Sequence, residues 1–439
     1  MDRGCAGKWN ENMIDPPELR DDCFALPPGV DWVPVPEVFK LLKLALGVRV
    51  KSETVLLSSA NGRFLAEPVF SNRSSPPFAN SAIDGYGFAG HQSRSEGPVY
   101  LRLVEGRAAA GHPYNQVVPE GSAVRILTGA VLPDGVDTVV LQEDVNTDGQ
   151  QIAFRGPLKI GKNTRLAGED IQNGQLLFDK GHRVCPPDLA VLASVGVSHV
   201  TVFAPLRVGV LSTGDELLEP GGASQKGDIF DANRQMLLSQ MASLGFYSVD
   251  FGIAADDAST LRELLDDAIE KCDVLLTTGG ASAGDEDHMS ALLRREGALN
   301  MWRIAVKPGR PMAMGLWKGL PVFGLPGNPV AALVCTLVFA QPALRILAGG
   351  HWKRAEGFLV PAAFSKSKKP GRFEYLRARL LDGRAEVFAS EGSGRITGLS
   401  WADGLVELDE QGREIRPDDL VRYIPYPAFY ASNSGKASL

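Results

Sequence analysis

The sequence lacks the residue clusters that mark metal-binding and disulfide-rich proteins. Its five cysteines contain no C-x-x-C pair, and its six histidines come no closer than the 17 residues from His182 to His199. This spacing argues against a metal centre built from neighbouring thiolates or imidazoles. It also excludes a disulfide scaffold and fits a reducing cytosol.

The sequence also lacks a basic surplus and a long apolar run. Its 45 Lys and Arg residues against 52 Asp and Glu residues give a net charge of −7, which argues against a nucleic-acid partner. The N-terminus is polar, and the longest apolar run, Val330–Ala340, is shorter than the roughly 20 residues of a membrane span. We therefore expect a cytoplasmic protein with no membrane partner, in which Val330–Ala340 forms a buried helix.

What the chain does contain changes along its length. Pro36–Leu46 predicts a helix with apolar residues on more than one face, either a core helix or one that also contacts a second subunit. Residues 71–155 show short strands and turns, with strands predicted at Val99–Val104 and Ala123–Leu127. Residues 350–425 return to short strands and predict a small β domain.

The segment that begins near Leu206 alternates strands with helices. Strands are predicted at Arg207–Ser212, Ser248–Ala254 and Asp273–Thr278, and helices at Asn233–Leu244 and from Ser259 to Lys271, the latter with Glu263 placed to support its cap. This rhythm predicts a parallel sheet with helices on both faces. Because ligands bind at the carboxyl ends of such strands, function is expected in the loops Thr213–Glu216, Gly279–Asp287 and Leu325–Pro329.

The loop after the third predicted strand combines glycines with acids. Gly279–Gly284 allows close approach of the backbone to a phosphate or a pterin, although such loops also serve as simple turns. Asp285–Asp287 follows directly, and Asp215-Glu216 ends a neighbouring strand. These acids fit either a solvated patch or a magnesium site, whereas Asp256-Asp257 fits a helix cap.

A cationic stretch follows. Arg303, Lys307 and Arg310 lie in a segment without acids, which fits either an exposed strand or the binding of an anionic substrate. Phe323–Pro329 predicts a rigid turn in which Asn328 could cap the next helix.

Three other motifs give less indication of function. Gly156–Asn163 nearly matches a nucleotide-binding loop, but it ends in Asn instead of Ser or Thr and no helix pattern follows, so we reject it. Asn80–Gly87 and Thr128–Ala130 fit structural turns by composition alone. No nucleophilic triad has support from the sequence.

Taken together, these segments resemble the MoeA family, the molybdopterin molybdenumtransferases related to the C-terminal part of gephyrin. The resemblance covers residues 22–425 and rests on motifs in family order. They are Asn80–Tyr86 (NSAIDGY), Arg125–Gly129 (RILTG), Gly168–Ile171 (GEDI), Ser212–Leu217 (STGDEL), Asp231–Arg234 (DANR), Thr278–Asp287, Val306–Pro311 (VKPGRP) and Gly324–Pro329 (GLPGNP).

The resemblance implies a multidomain α/β plus β fold. It implies an extended linking and dimerisation domain (1–70 and 155–205), an inserted β-rich domain (71–154), a three-layer α/β molybdopterin-binding domain with a mostly parallel sheet (206–350), and a C-terminal β barrel with a disordered tail (351–439). It further implies a homodimer whose cleft joins the α/β domain of one subunit to the inserted domain of the other.

The implied reaction inserts molybdenum from molybdate into adenylylated molybdopterin with Mg²⁺, and releases AMP. The residues matched to catalytic positions are Asp84, Thr128, Asp170, Glu216, Asp256, Asp287, Arg303 and Lys307. Those matched to substrate binding are Ser212, Thr213, Gly214, Asp215, Gly279, Gly280, Ser282, Gly284, Pro326, Gly327, Asn328 and Pro329. Glu216, Asp256 and Asp287 are the expected magnesium ligands.

Two departures from the family pattern and three rival functions accompany the resemblance. Ala79 stands where many members have Asp, and Arg303 where lysine is common, which changes the geometry offered to an oxyanion. A molybdopterin adenylyltransferase, a gephyrin-like scaffold and a nucleotide pyrophosphatase are the alternatives. An adenylyltransferase and molybdoenzyme-loading proteins are the further partners that the resemblance implies.

Overall fold

The computed structural model describes residues 32–279, 288–309, 311–392 and 394–430. The expected tail, Ala431–Leu439, lies outside these residues. The described chain contains three six-stranded sheets together with smaller two-stranded pairings. The fold is the multidomain combination of α/β and β structure that the sequence predicts.

The first region is built from two separate stretches of chain. Ser52–Leu56 pairs antiparallel with His199–Phe203, and Val69–Phe70 pairs with Leu176–Phe178. Residues from both stretches share one apolar cluster, which includes Leu65 and Leu177. The remaining elements here are the helices Val35–Ala45, Leu57–Ser59 and Pro186–Ser194 and the pair Thr164–Arg165 with Asn80–Ser81.

The predicted N-terminal helix is a core helix on one face. It spans Val35–Ala45 and buries Val35, Val38, Phe39 and Leu42. Leu44, on another face, is 75% exposed. The core reading is confirmed, and contact of the exposed face with a second subunit stays a prediction.

A six-stranded sheet forms the β-rich region between those stretches. Its strands, in spatial order, are Thr138–Leu141, Gly85–Phe88, Ser122–Ile126, Gly97–Ala108, Gln151–Gly156 and Asn146–Thr147. Short 3₁₀ helices at Gly90–Ser93 and Gln142–Asp144 connect them. Both strands predicted in this region are confirmed: Val99–Val104 lies within the longer strand Gly97–Ala108, and Ala123–Leu127 is shifted by one residue to Ser122–Ile126.

The α/β region has a mixed sheet with helices on both faces. Its strands, in spatial order, are Tyr247–Ala254, Arg207–Thr213, Val274–Thr278, Leu320–Leu325, Pro311–Trp317 and Ala298–Arg303. The first four are parallel, and the last two are antiparallel additions that the sequence reading did not include. The helices are Ala232–Ser243, Ala258–Lys271 and His288–Glu296.

Side chains of the strand Arg207–Thr213 show how both faces of the sheet are covered. Val208 and Val210 join a cluster with Leu237 of the first helix. Leu211, which points to the other face, joins Leu261 of the second helix. Every residue from 208 to 213 is buried, and the run Val208–Leu211 contains no polar side chain, as expected for a strand covered on both faces.

The long apolar run forms the predicted buried helix. Helical structure is continuous from Pro329 to Leu347, with a π-type stretch at Thr336–Ala340 ahead of Pro342. This segment is the one helix of the described chain that is long and apolar enough to cross a membrane, and 94% of its most apolar window is buried inside the protein. It therefore has the burial of a core helix.

The third six-stranded sheet lies in the C-terminal region. It is formed by Phe358–Pro361, Leu420–Pro425, Gly404–Leu408, Phe373–Leu381 and Val306–Lys307, with Arg384–Val387 paired to the fourth of these. The pair Lys366–Lys368 with Arg413–Ile415 and the helices Thr397–Trp401 and Pro427–Tyr430 complete it. Val306–Lys307 belongs to the α/β region in sequence, so this sheet joins the two regions beside the predicted cationic segment.

Candidate functional site at the strand ends

The loops predicted to carry function meet at one edge of the α/β sheet. The strands Arg207–Thr213, Val274–Thr278 and Leu320–Leu325 are parallel neighbours, so their carboxyl ends lie side by side. Gly279 has a φ of +85°, and a Cβ there would lie 2.3 Å from the carbonyl oxygen of Thr213. A Cβ on Gly327 would be 3.7 Å from the Cα of Gly279. Glycine therefore permits the close packing that brings these loops together.

Hydroxyl groups fasten the strand ends below the loops. Ser212 Oγ and Thr278 Oγ1 are hydrogen-bonded at 3.1 Å, and Thr213 Oγ1 donates to the carbonyl oxygen of Thr278 at 3.4 Å. Ser212 and Thr213 are both buried. Their side chains thus link adjacent strands. Groups that a ligand can reach lie instead in the loop residues that follow Thr213.

Three of the predicted acids lie on two adjoining loops. The backbone N–H of Asp256 donates to Asp215 Oδ1 at 3.0 Å. The Glu216 carboxylate folds back against Gly214, where a Cβ would lie 2.5 Å from Oε2. Asp215 and Glu216 are exposed, and in the part of the chain that the structure describes no lysine or arginine forms a salt bridge with either. The arrangement leaves carboxylate oxygens at the edge of the sheet.

The rest of the predicted loop of glycines and acids comprises residues 280–287. Asp287, Gly280, Ser282 and Gly284 lie outside the described residues. Among the residues that are described, no group of three or more His, Cys, Asp or Glu side chains is arranged to hold a metal ion.

Asp257 caps the helix Ala258–Lys271 by accepting from the N–H groups of Ser259 and Thr260. The predicted capping role of Asp257 is therefore confirmed, and the capping role predicted for Glu263 is wrong.

In the third loop, Leu325–Pro329, hydrogen bonds fix both Gly327 and Asn328. Asn328 Oδ1 accepts from the N–H of Val330 at 3.2 Å, which confirms the predicted cap, and Pro329 begins the buried helix. Asn233 Nδ2 donates to the carbonyl oxygen of Gly327 at 2.7 Å. The loop is therefore held by a neighbouring helix as well as by its own.

The position of Asn233 is fixed by the DANR motif, Asp231–Arg234, to which it belongs. Asp231 caps the helix by accepting from the N–H of Arg234 at 3.1 Å. The buried Arg234 guanidinium reaches Asp231, Asp250 and Glu219. Although burial alone would lower the pKa of Arg234, hydrogen bonds and ion pairs to Asp250 and Glu219 raise it. The sequence analysis quoted this motif but did not predict the network, in which Asp231, Glu219 and Asp250 lie 3, 15 and 16 residues from Arg234 along the chain.

Arg310 lies outside the described residues, and of the other two predicted cations Lys307 borders a second, adjacent cleft. Lys307 and Pro308 from the α/β region line it together with Arg377, Ser390 and Glu391 from the C-terminal region. Lys307 Nζ is hydrogen-bonded to Glu391. Arg303 is half-buried, and its carbonyl oxygen accepts from the N–H of Val33 at 2.9 Å. The cleft thus has a cation on one wall and a carboxylate on the other.

Asp84 and Thr128 come together in the inserted sheet, although 44 residues separate them. Asp84 Oδ1 accepts from Thr128 Oγ1 at 2.7 Å and from its N–H at 2.8 Å. These hydrogen bonds lower the pKa of Asp84. Asp170 is exposed on a nearby turn, where its N–H donates to the carbonyl oxygen of Ser75 at 3.2 Å. Within the described chain, the hydrogen bonds of all three residues go to this part of the fold and none goes to the strand-end loops.

The rejected nucleotide loop is a turn in the structure. The side chain of Asn163 donates to the carbonyl oxygen of Val139 at 2.9 Å, and its φ is +59°. No helix begins after Lys162, because the chain continues into the short strand Thr164–Arg165. This confirms the rejection.

Models of known protein families match three consecutive segments of the chain. Residues 33–196 match the MoeA N-terminal region (domain I and II), 209–346 a probable molybdopterin binding domain, and 360–426 the MoeA C-terminal region (domain IV). Together they cover the three parts of the chain in which we found the predicted motifs.

Whole proteins match over most of their length. A molybdopterin molybdenumtransferase of Haemophilus influenzae is 38% identical over 384 residues, which is 86% of this chain and 94% of that protein. One from Nostoc is 35% identical over 370 residues, 81% of this chain and 85% of that protein. The crystal structure of the molybdopterin biosynthesis MoeA protein of Pyrococcus horikoshii superimposes with a TM-score of 0.78 at 28% identity, covering 90% of this chain and 100% of that one. The chain therefore belongs to the MoeA family of molybdopterin molybdenumtransferases.

Proposed function

We propose that this protein is an enzyme that transfers molybdenum from molybdate to adenylylated molybdopterin, with release of AMP and formation of the molybdenum cofactor. The observation that carries the proposal is the meeting of the Thr213, Gly279 and Gly327 loops at one sheet edge. A relative 38% identical over nearly its whole length is named a molybdopterin molybdenumtransferase.

Each loop has a role in this reaction. The loops at Gly214, Gly279 and Gly327 carry no side chains at these positions, and their main-chain N–H groups receive the pterin phosphate. Arg303 and Lys307 supply positive charge for phosphate and molybdate. Asp84 and Asp170 orient the transferring oxyanion or a water molecule.

Molybdenum is part of the substrate in this reaction, and it binds soft sulfur ligands. The buried cysteines of the protein do not supply them. Burial raises the pKa of Cys272 to about 11 and that of Cys335 to about 12, so both thiols stay protonated near neutral pH. The dithiolene of the pterin supplies the sulfur ligands instead. The described cysteines Cys185, Cys272 and Cys335 are all free thiols, which supports a cytoplasmic location.

A magnesium ion fits the donor chemistry of the acidic edge. Glu216 and Asp256, with Asp287, would hold it, because carboxylate oxygens are the ligands that Mg²⁺ prefers. Glu216 and the neighbouring Asp215 are exposed, so the ion can reach this edge of the sheet from solvent. When bound, Mg²⁺ neutralises charge on the phosphoanhydride. The protein's own contribution is to keep Asp256 beside Asp215 through the 3.0 Å hydrogen bond and to direct Glu216 against Gly214.

A homodimer would complete the site. Asp84 and Thr128 form a preorganised pair whose hydrogen bonds stay within the inserted sheet. We place this pair over the strand-end loops of the partner subunit, as the family resemblance implies. The adenylyltransferase that supplies the substrate and the proteins that load molybdoenzymes are the further partners of the proposal.

The test is AMP release from adenylylated molybdopterin, with Mg²⁺, in the presence and absence of molybdate. Release that requires molybdate, with molybdenum retained on the pterin, supports the proposal. Release without molybdate indicates a hydrolase, and formation of adenylylated pterin from ATP indicates an adenylyltransferase. Binding of the pterin without turnover in any mixture indicates a scaffold, and each of these last three outcomes overturns the proposal.

A further inference from the structure

A chain of alternating charges crosses from the α/β region to the C-terminal region. The ammonium of Lys307 is bound to Oε2 of Glu391, and the ammonium of Lys366 is bound to Oε1 of the same carboxylate. Lys366 also lies 3.1 Å from the buried Glu374. Each oxygen of Glu391 therefore has its own lysine.

The loop that carries Glu391 is held in place. The buried guanidinium of Arg377 donates to the carbonyl oxygens of Ser390, Gly392 and Arg395. A Cβ on Gly394 would lie 4.0 Å from Nδ2 of Asn328, so the same loop reaches the cap of the buried helix. This geometry distinguishes the Lys307–Glu391 pair from an adventitious surface contact between two long side chains.

Glu391 keeps its negative charge in this setting. Burial alone would raise the pKa of its carboxyl group, but hydrogen bonds from Lys307 and Lys366 outweigh that effect and lower it. The side chain of Lys307 is 25% exposed and that of Glu391 is 43% exposed, and both line the cleft. The pair is therefore reachable by a small anion from solvent.

We propose that Glu391 is an internal counter-ion that occupies Lys307 until a tetrahedral oxyanion replaces it there. Lys366 keeps its contact with Oε1 when the Oε2 contact is lost, so the exchange leaves no carboxylate without a partner. The oxyanion is molybdate or the phosphate of the pterin substrate. This inference rests on the proposed function, because it takes Lys307 to be the cation that receives the oxyanion.

The experiment is isothermal titration of the full-length protein with sodium molybdate, and separately with inorganic phosphate, at low ionic strength. Glu391→Gln removes the competing charge and keeps an oxygen for Lys307, so we expect roughly fivefold tighter binding of at least one of the two anions. A gain for molybdate alone or for phosphate alone identifies the oxyanion, and a gain for both indicates a shared site. Glu391→Ala repeats the test without a side-chain amide between the two lysines.

Two controls make the outcome specific. Glu386→Gln removes a carboxylate that pairs with Arg379 in the same sheet, and its anion affinity should match the unaltered protein. Lys307→Met should lose anion binding in every background. Equal or weaker binding by both Glu391 variants overturns the inference and leaves the proposed function standing. Tighter binding in a protein that releases no AMP supports the inference while the proposed function fails.

Discussion

Asn233 Nδ2 donates a 2.7 Å hydrogen bond to the carbonyl oxygen of Gly327, which joins the first turn of one helix to the loop that precedes another. Asn233 is buried. Gly327 in turn lies against Gly279, so the loop that this amide group binds also contacts a second of the three strand-end loops.

Replacing that amide tests whether the loop geometry matters for binding. Asn233→Ala leaves the carbonyl group of Gly327 without this partner, and we expect a loss of about 1–3 kcal/mol in the free energy of unfolding. KM for the pterin substrate should rise because the loop loses its position. Urea unfolding and steady-state kinetics measure the two effects.

A matched control uses an asparagine whose similar bond is exposed. Asn72 Nδ2 donates to the carbonyl oxygen of Gly196 at 3.4 Å on the surface, and Asn72→Ala should change neither stability nor KM. Equal behaviour of the two variants would contradict the role assigned to Asn233.

The Asp84–Thr128 pair makes a prediction about protonation. Because the folded-state pKa of Asp84 lies below its ordinary value of 3.8, the stability it contributes is present above that value and is lost as the pH falls through the lowered pKa. Thr128→Val removes the hydroxyl hydrogen bond and keeps the one from the N–H, so the pKa should rise part of the way towards 3.8. Carboxyl-carbon NMR titration measures it.

The conservative variant is the control here. Thr128→Ser keeps a hydroxyl at the same position and should leave the pKa of Asp84 lowered. If the valine and serine variants titrate alike, the hydroxyl is not the main cause of the lowered value.

Much of the α/β region follows from local sequence. Strands buried on both faces, such as Val274–Thr278, are short apolar runs bounded by glycine or by helix signals, and the parallel order places their ends together. The convergence of the Thr213, Gly279 and Gly327 loops could therefore be predicted before their contacts were known.

The features that the sequence analysis missed join residues far apart in the chain, or depend on which of several neighbouring residues caps a helix. Lys307 and Glu391 are 84 residues apart, so no spacing rule connects them. At the helix Ala258–Lys271, the capping residue Asp257 lies two positions before Ser259, and this removes the role predicted for Glu263. The antiparallel strands Ala298–Arg303 and Pro311–Trp317 have no connecting helix, and the alternating pattern that identifies the parallel strands does not apply to them.

The acidic edge predicts a change in magnesium dependence. Glu216→Gln removes one carboxylate charge from the proposed ligand set, so the Mg²⁺ concentration for half-maximal AMP release should rise by about tenfold or more. Glu263→Gln, an exposed acid on the adjacent helix, is the matched control and should show the original dependence. An unaltered Mg²⁺ dependence in the Glu216 variant would remove this residue from the ligand set.

The shared site predicts complementation between two variants, assayed at an Mg²⁺ concentration too low to support turnover by the Glu216 variant. Asp84→Asn alters the inserted domain, and Glu216→Gln alters the α/β domain. If each site combines these domains from different subunits, a mixed dimer holds one wholly unaltered site and one doubly altered site. Random re-association of equal amounts should then restore about a quarter of the unaltered turnover, since about half of the dimers are mixed and each has one good site. Unmixed preparations of each variant, taken through the same dissociation and re-association, are the controls. A mixture no more active than these controls would show that Asp84 and Glu216 serve a site within a single subunit.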